Sequence, residues 1–241
     1  TFRERHAEVV VRIRGSGDLH VQTIKCKTGS SAGLFVRQEW ESEVPGFVVD
    51  LDLLKMTPFG RQLEKCEMGT LMAVNSSAID RTSWVLEHQG SRIQVDLDEG
   101  KIAAAERETN VCEVELELKF GKADALFALA EKLAQVTPLR LGVLSKSERG
   151  EMLATDRIGR AIKAEPTDLP TPISEAEAFH AIAHACLRHF RLNEMVLLEE
   201  DDVEALHQAR VSLRRLRSAL SLFRQTVRGA EHKALKEELR W

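Results

Sequence analysis

Charged and apolar residues alternate with a period of two in Val11-Arg12-Ile13-Arg14 and in Cys112-Glu113-Val114-Glu115-Leu116-Glu117. Successive strand side chains point to opposite faces, so each segment predicts a strand with its charges on one side of a sheet and Val, Ile or Leu on the other. Other segments repeat the pattern. Val21, Thr23 and Lys25 share a face of residues 20–25, and Arg37, Glu39, Glu41 and Glu43 share a face of residues 35–44. Arg92, Gln94, Asp96 and Asp98 share a face of residues 92–98, and Arg81 stands at the expected start of a strand containing Trp84-Val85-Leu86. About six strands thus bring charge to one side, with turns at Gly15-Ser16-Gly17 and Gly29-Ser30-Ser31 between the first three.

Rows of like charge on a strand repel unless something neutralises them. Arginines on one strand and carboxylates on another suggest a pocket for a polyanion and a metal ion. Strands of this kind can close into a barrel with a charged lumen. An antiparallel sheet with a solvated outer face is the other reading of the same periodicity.

Helical patterns interrupt the strands at residues 52–66 and 122–135, the second with a stripe of Leu126, Leu129, Ala130 and Leu133. Pro166, Pro170 and Pro172 predict a semi-rigid linker over residues 162–173. Beyond it the pattern is helical, and Ser174 followed by Glu177 matches a capping box. In the last long helix Leu206, Ala209, Leu213, Leu216, Leu220, Phe223 and Val227 form an expected core stripe. One residue further on, His207, Arg210, Arg214, Arg217, Arg224 and Arg228 form a basic stripe, with Ser221 between. The preceding helix sets Phe179, Ala183, Cys186 and Phe190 beside His180, His184, Arg188 and Arg191. Residues 204–228 hold six arginines and one acid, which fits either a solvated face or an anion-binding surface, since guanidinium forks match phosphate oxygens. His180 and His184 lack the glutamate of the HExxH zinc motif and read as anion contacts or an exposed face.

The predicted fold class is α+β, with a strand-rich domain over 1–158, a linker over 159–173 and a helical domain over 174–241. The chain of 241 residues is 43% hydrophobic with a net charge of −4. That balance and the scarcity of aromatics interleaved with the basic stripe argue against nucleic acid. No apolar run is long enough for a membrane helix and no secretory signal opens the chain, so the expected location is the cytoplasm, without membrane contact. Cys26, Cys66, Cys112 and Cys186 are too dispersed for a zinc site or a disulfide framework and read as reduced thiols. No P-loop, GxGxxG, Ser-His-Asp or Cys-His pattern is present, and there is no tyrosine. Without an initiator Met, and ending inside a helical pattern, the chain is read as a fragment cut at both ends.

Val11-Arg12-Ile13-Arg14 followed by Gln22-Thr23-Ile24-Lys25 resembles the early strands of CYTH domains, the triphosphate tunnel metalloenzymes. Ile79-Asp80-Arg81, Val95-Asp96-Leu97-Asp98, Glu113-Val114-Glu115 and Leu144-Ser145-Lys146 with Arg149-Gly150 continue the resemblance in order. Residues 207–217, His207-Gln208-Ala209-Arg210-Val211-Ser212-Leu213-Arg214-Arg215-Leu216-Arg217, are similar to the signature of CHAD domains. The resemblance implies a closed eight-stranded antiparallel tunnel followed by the first helices of a CHAD bundle. It implies metal-dependent hydrolysis of inorganic triphosphate, with Mg²⁺ or Mn²⁺ as cofactor and triphosphate or polyphosphate as partner. Arg12, Arg14, Lys25, Arg81 and Lys146 would hold the triphosphate, with Arg37, Glu39 and Arg149 as further tunnel residues. Glu113, Glu115 and Lys146 would be catalytic. Glu113 and Glu115 would bind metal together with Asp96 or Asp98, both of which point the same way. The CHAD-like stripe of His207, Arg210, Arg214 and Arg217 would bind polyphosphate.

The family's ExExK motif has no counterpart before Arg12, since Glu4-Arg5-His6-Ala7-Glu8 has the wrong spacing. The expectation is therefore a missing first strand and a chain that is weak or inactive alone. Two alternatives stay open: a noncatalytic protein that holds or targets polyphosphate, and a tunnel enzyme for thiamine triphosphate or for ATP as an adenylate cyclase.

Overall fold

The period-two segments form antiparallel strands in the computed structural model, which describes residues 2–4, 7–28, 32–57, 60 and 72–239. Among the described residues the strands are β1 (Phe2–Glu4), β2 (Ala7–Ser16), β3 (Leu19–Thr28), β4 (Arg37–Glu43), β5 (Ser76–His88), β6 (Ser91–Ala104) and β7 (Arg107–Phe120). The helices are α1 (Leu51–Lys55), α2 (Asp124–Val136), α3 (Lys146–Ala154), α4 (Glu175–Leu197), α5 (Val203–Leu222) and α6 (Ala230–Glu238). This is an α+β chain, with one sheet ordered β1-β2-β3-β4 and a second ordered β5-β6-β7. It divides into two compact units, Thr1–Met72 with Gly159–Trp241, and Ala73–Ile158.

In the first unit, Arg12 pairs in register with Thr23 and Thr23 with Glu41, while Lys25 faces Glu39. Arg12, Arg14, Thr23, Lys25, Glu39 and Glu41 therefore lie on one face. On the other face Ile24 is buried against Leu54 of α1, joined by Val11, Trp40, Val49 and Leu51. Asp50 caps α1 by accepting from the N–H groups of Asp52 and Leu53. Of the predicted helix over 52–66, residues 52–55 fall in α1, which ends before Met56, and residues 58–59 and 61–66, with Cys66, lie outside the described residues. So does the expected turn at Gly29-Ser30-Ser31. The first hairpin turns at Gly17, whose φ is +59°. Strand β1, which the periodicity does not mark because it spans three residues, pairs with β2.

In the second unit Gln89 and Gly90 both have positive φ and make the tight turn from β5 to β6. At Gly100 of β6, a Cβ would meet the Ala78 carbonyl oxygen at 2.0 Å, so the close approach of β5 there needs glycine. Helices pack on part of each face of the sheet. On one face Ile93 is buried with Ala125 and Leu129 of α2, as the helical stripe predicts. The other face is divided along its length. One end is apolar, where Ile102, Ala104 and Val111 are buried with Leu153 of α3. The middle carries Arg81, Asp96, Asp98, Glu113 and Glu115. Trp84 stands on the α2 side of β5 and is half-exposed.

Helices α4 and α5 pack around buried Cys186, Leu216 and Leu220 with Phe179, Ile182, Ala183 and Leu239. The Ser174–Glu177 capping box is present. The core stripe of α5 differs from the hydropathy reading. Ala205, Gln208, Ala209, Ser212, Leu216, Ala219 and Leu220 are buried, whereas Leu206 is 50% exposed. The buried face is set by position on the helix, and Leu206 falls outside it. Helix α5 ends at Leu222 rather than continuing to Arg228, and the Thr226 hydroxyl then donates to Glu175 at 2.7 Å. The proline-containing segment is tied down at its start. Ile162 N–H donates to Asn193 Oδ1 and its carbonyl accepts from Asn193 Nδ2, both at 2.9 Å, and His189 Nε2 lies 2.8 Å from the same carbonyl. Cys26 and Cys186 are buried and Cys112 is exposed, all three as free thiols.

Candidate metal and phosphate site

Strand register builds the site in the second unit. Arg81 of β5 pairs with Asp98 of β6, Asp98 with Glu113 of β7, and Asp96 with Glu115. Four carboxylates and one guanidinium thus share a patch two residues long on three adjacent strands. Two more cations come from α3. Ser145 caps this helix in a capping box with Glu148, which fixes its first turn and with it Lys146 and Arg149. Gly150 lets the helix lie close to the chain before β5, where a Cβ would sit 2.3 Å from Asn75 Cγ.

Arg81 spans three acids. Its Nε donates to Asp98 Oδ1 at 2.6 Å, Nη1 to Asp96 Oδ2 at 2.8 Å, and Nη2 to Asp98 Oδ2 at 2.5 Å and Glu115 Oε2 at 2.7 Å. Lys146 Nζ contacts Asp98 Oδ2 at 2.5 Å and Glu115 Oε1 at 2.9 Å, and it also donates to Glu113. Arg149 donates to the second oxygen of Glu113. Asp96 and Asp98 are buried, Glu113 is partly covered and Glu115 is exposed. Gln94, which period-two reading put on this face without a role, donates to both Asp96 oxygens at 2.9 and 3.0 Å.

The electrostatics follow from these contacts. Burial alone would raise the Asp98 pKa, but hydrogen bonds from Arg81 and Lys146 hold it below the usual carboxylate range. Glu115 is about half accessible; the covered part of its carboxylate pushes its pKa up, and Lys146 and Arg81 bring it below its ordinary value. Desolvation would lower Lys146, yet its bonds to Asp98, Glu113 and Glu115 raise it. Arg81 is raised chiefly by its bond to Asp98.

One oxygen each from Asp98, Glu113 and Glu115 lie within 4.8 Å of one another, a group that could hold a metal ion. Three hard carboxylate oxygens suit Mg²⁺ or Mn²⁺, so this donor set fits a divalent ion. Of the two aspartates the sequence leaves equivalent, Asp98 belongs to this group, while Asp96 is held by Arg81 and Gln94.

The other expected anion-binding residues lie on the charged face of the first unit's sheet. Arg14 pairs with Glu41, which also accepts from Thr23 Oγ1 at 3.0 Å, and Lys25 pairs with Glu39 at 2.6 Å. Arg12 is exposed on the same face, and Arg37 stands opposite Lys27 in register. On α5, His207, Arg210, Arg214 and Arg217 are all exposed. Arg210, Leu213, Arg214, Arg217 and Leu239 line one concave surface. His180 and His184 stack with ring centroids 4.0 Å apart, and His184 Nδ1 accepts from Ala32 N–H at 3.2 Å. Burial and the neighbouring His180 lower the His184 pKa.

A family model of the CYTH domain matches residues 2–150. The chain belongs to the CYTH family. The CHAD domain model matches residues 181–241, so the two domains follow one another in this chain. The CYTH–CHAD chain is also similar to a protein named inorganic triphosphatase from Haemophilus influenzae (strain ATCC 51907 / DSM 11121 / KW20 / Rd). The two are 33% identical over 150 residues, which is 60% of this chain and 41% of the relative. The chain thus spans well under half of that relative's length. No helix among the described residues is long and apolar enough to cross a membrane.

Proposed function

We propose that this CYTH domain hydrolyses inorganic triphosphate with a divalent ion held by Asp98, Glu113 and Glu115. The observation that carries the reading is the group of three carboxylates bordered by Arg81, Lys146 and Arg149 on one face of one sheet. Mg²⁺ or Mn²⁺ bound there would neutralise phosphoryl charge and act as a Lewis acid. Arg81, Lys146 and Arg149 bind and orient phosphoryl oxygens, and their positive charge offsets that spread over the oxygens in the transition state. Asp96 acts on Arg81, whose Nη1 it holds in place. In the reaction, water oxygen bonds to the terminal phosphorus and the phosphoanhydride bond breaks with its electron pair going to the bridging oxygen. Diphosphate leaves while the proton lost by the water passes to a phosphate oxygen or to solvent. Arg12, Arg14, Lys25 and Arg37 are proposed to bind phosphate, with Glu39 as a neighbouring tunnel residue. Their support is the family resemblance and a shared charged face in their own sheet.

The CHAD helices are proposed to bind polyphosphate through His207, Arg210, Arg214 and Arg217. The exposed basic stripe and the concave surface beside it favour that reading. The cytoplasm, where polyphosphate and Mg²⁺ are both available, is the proposed location.

Phosphate release from tripolyphosphate by the intact natural protein carrying this chain, with and without Mg²⁺ or Mn²⁺, tests the proposal. Metal-dependent release that is abolished by Glu113→Gln with Glu115→Gln is expected. Full activity in that double variant removes the carboxylate site from the mechanism. No release, with polyphosphate still bound, makes the protein a noncatalytic polyphosphate binder.

A further inference from the structure

The Lys146 ammonium occupies the place that a metal ion needs. Its Nζ touches Asp98 Oδ2 at 2.5 Å and Glu115 Oε1 at 2.9 Å and donates to Glu113. These are the same three residues whose oxygens converge within 4.8 Å. A Mg²⁺ ion takes its oxygens at about 2.0–2.1 Å. An ion with that reach and an ammonium cannot both sit among these oxygens without direct contact between like charges.

Charge balance points the same way. Asp96, Asp98, Glu113 and Glu115 face Arg81, Lys146 and Arg149, four negative groups against three positive. Adding a divalent ion while Lys146 stays leaves an excess of positive charge in a patch where Asp98 is fully buried. Balance returns when one of the three cations gives way, and Lys146 is the one that touches all three converging carboxylates. Low-dielectric surroundings make that difference count.

The geometry also allows the exchange without rebuilding the fold. Lys146 is the first residue of α3, and the helix is anchored independently of it. Ser145 and Glu148 close the capping box, and Leu153 is buried against Ile102, Ala104 and Val111. The four-carbon lysine stem can swing its ammonium while the helix stays in place.

We infer that Lys146 is an internal counter-cation that a divalent ion displaces, so that metal loading itself delivers the Lys146 ammonium to an anionic ligand. The inference rests on the proposed metal site and adds an order to it: ion first, phosphate second. It makes Lys146 a competitor of the ion and a partner of the phosphate. A lysine that merely braces the carboxylates would instead help the ion to bind.

Two measurements on the 241-residue chain test it. Calorimetric titration with Mn²⁺ compares the parent, Lys146→Met, and Glu113→Gln with Glu115→Gln. Exchange predicts that Lys146→Met binds Mn²⁺ about tenfold tighter or more, as removal of a competing charge pair would give. Equal or weaker binding than the parent overturns it. Reductive methylation followed by peptide mass spectrometry reads the unmodified protein and is independent of whether a variant folds. Lys146, whose side chain is 13% exposed, should label faster when Mn²⁺ is added without phosphate. Unchanged or slower labelling at saturating Mn²⁺ overturns the exchange. Mn²⁺ binding that is lost in the Glu113, Glu115 variant but indifferent to Lys146→Met leaves the metal site standing and removes the exchange alone. No Mn²⁺ binding by any of the three removes both.

Discussion

Asp98 shows what one side chain does here. It is fully buried and ionised, and Arg81 and Lys146 make that possible. Removing one member of such a buried pair costs about 3–5 kcal/mol because the partners keep their desolvated charge. Asp98→Asn should therefore lower the unfolding free energy by about 3 kcal/mol or more in urea titration. The pH dependence follows from the directions of the shifts. Asp98 and Glu115 titrate below their ordinary values near 3.9 and 4.3, so their contribution is complete above those values and lost as pH falls through the lowered ones. Lys146 titrates above its ordinary value near 10.4, so its contribution is complete below that value and lost as pH rises through the raised one. Stability measured by denaturant at a series of pH values should fall at both limits, with an alkaline decline to which the raised Cys26 and Cys186 thiols also contribute and which Lys146→Met reduces. It should rise with pH through the histidine range because His184 and His189 are lowered by burial. The placement of these acids was readable from alternation alone, since parity puts Asp96, Asp98, Glu113 and Glu115 on common faces. Parity cannot separate Asp96 from Asp98. That distinction comes from Gln94 and from the pairing of β6 with β7, a long-range register that one strand does not encode.

Helix α3 was the element least visible in the sequence. Its segment is short, carries Gly150 in its interior and has charged residues on several sides, so no hydrophobic stripe marks it. Lys146 and Arg149 entered by family resemblance, and the structure adds the helix that presents them. The capping box is its local cause. Ser145→Ala removes the oxygen that accepts from Glu148 N–H and should cost about 1 kcal/mol, seen as a shift in the urea midpoint. Ser145→Thr, which keeps the oxygen, should come close to the parent. Helix α5 teaches the opposite lesson. Its stripe was legible, yet Leu206 is half-exposed while Ala205, Gln208 and Ser212 are buried, because hydropathy records the preference of a residue and not the distance to the neighbouring helix. His189 and Asn193, which hold Ile162, had no signal in periodicity, for their partner is a backbone group of a segment without regular structure.

At the scale of the molecule, polyphosphate binding and metal binding are assigned to residues of different units. Combined Arg210→Glu, Arg214→Glu and Arg217→Glu should therefore weaken polyphosphate binding by about tenfold or more near 0.1 M salt, where charges beyond about 10 Å are screened. Mn²⁺ affinity and helix content should stay at parental values. Polyphosphate affinity that does not change would take the basic stripe out of the proposal. The α+β class and the succession of strand-rich and helical regions were legible because both periodicities are strong and the prolines fall between them. The grouping of residues 1–72 with residues 159–241 was not, since such contacts join segments far apart in the chain. Trp40 is partly buried against Ile24 and Leu54 in one unit, and Trp84 is half-exposed on β5 in the other. With no tyrosine in the chain to feed them by energy transfer, these indoles become separate optical channels once Trp241, the third in the chain, is replaced by phenylalanine. Loss of the core around Trp40 will shift its emission to the red, whereas Trp84 starts nearer the red end. In a Trp241→Phe background, replacing either by phenylalanine leaves a spectrum that follows the remaining unit, so that the melting of each can be timed without a dye.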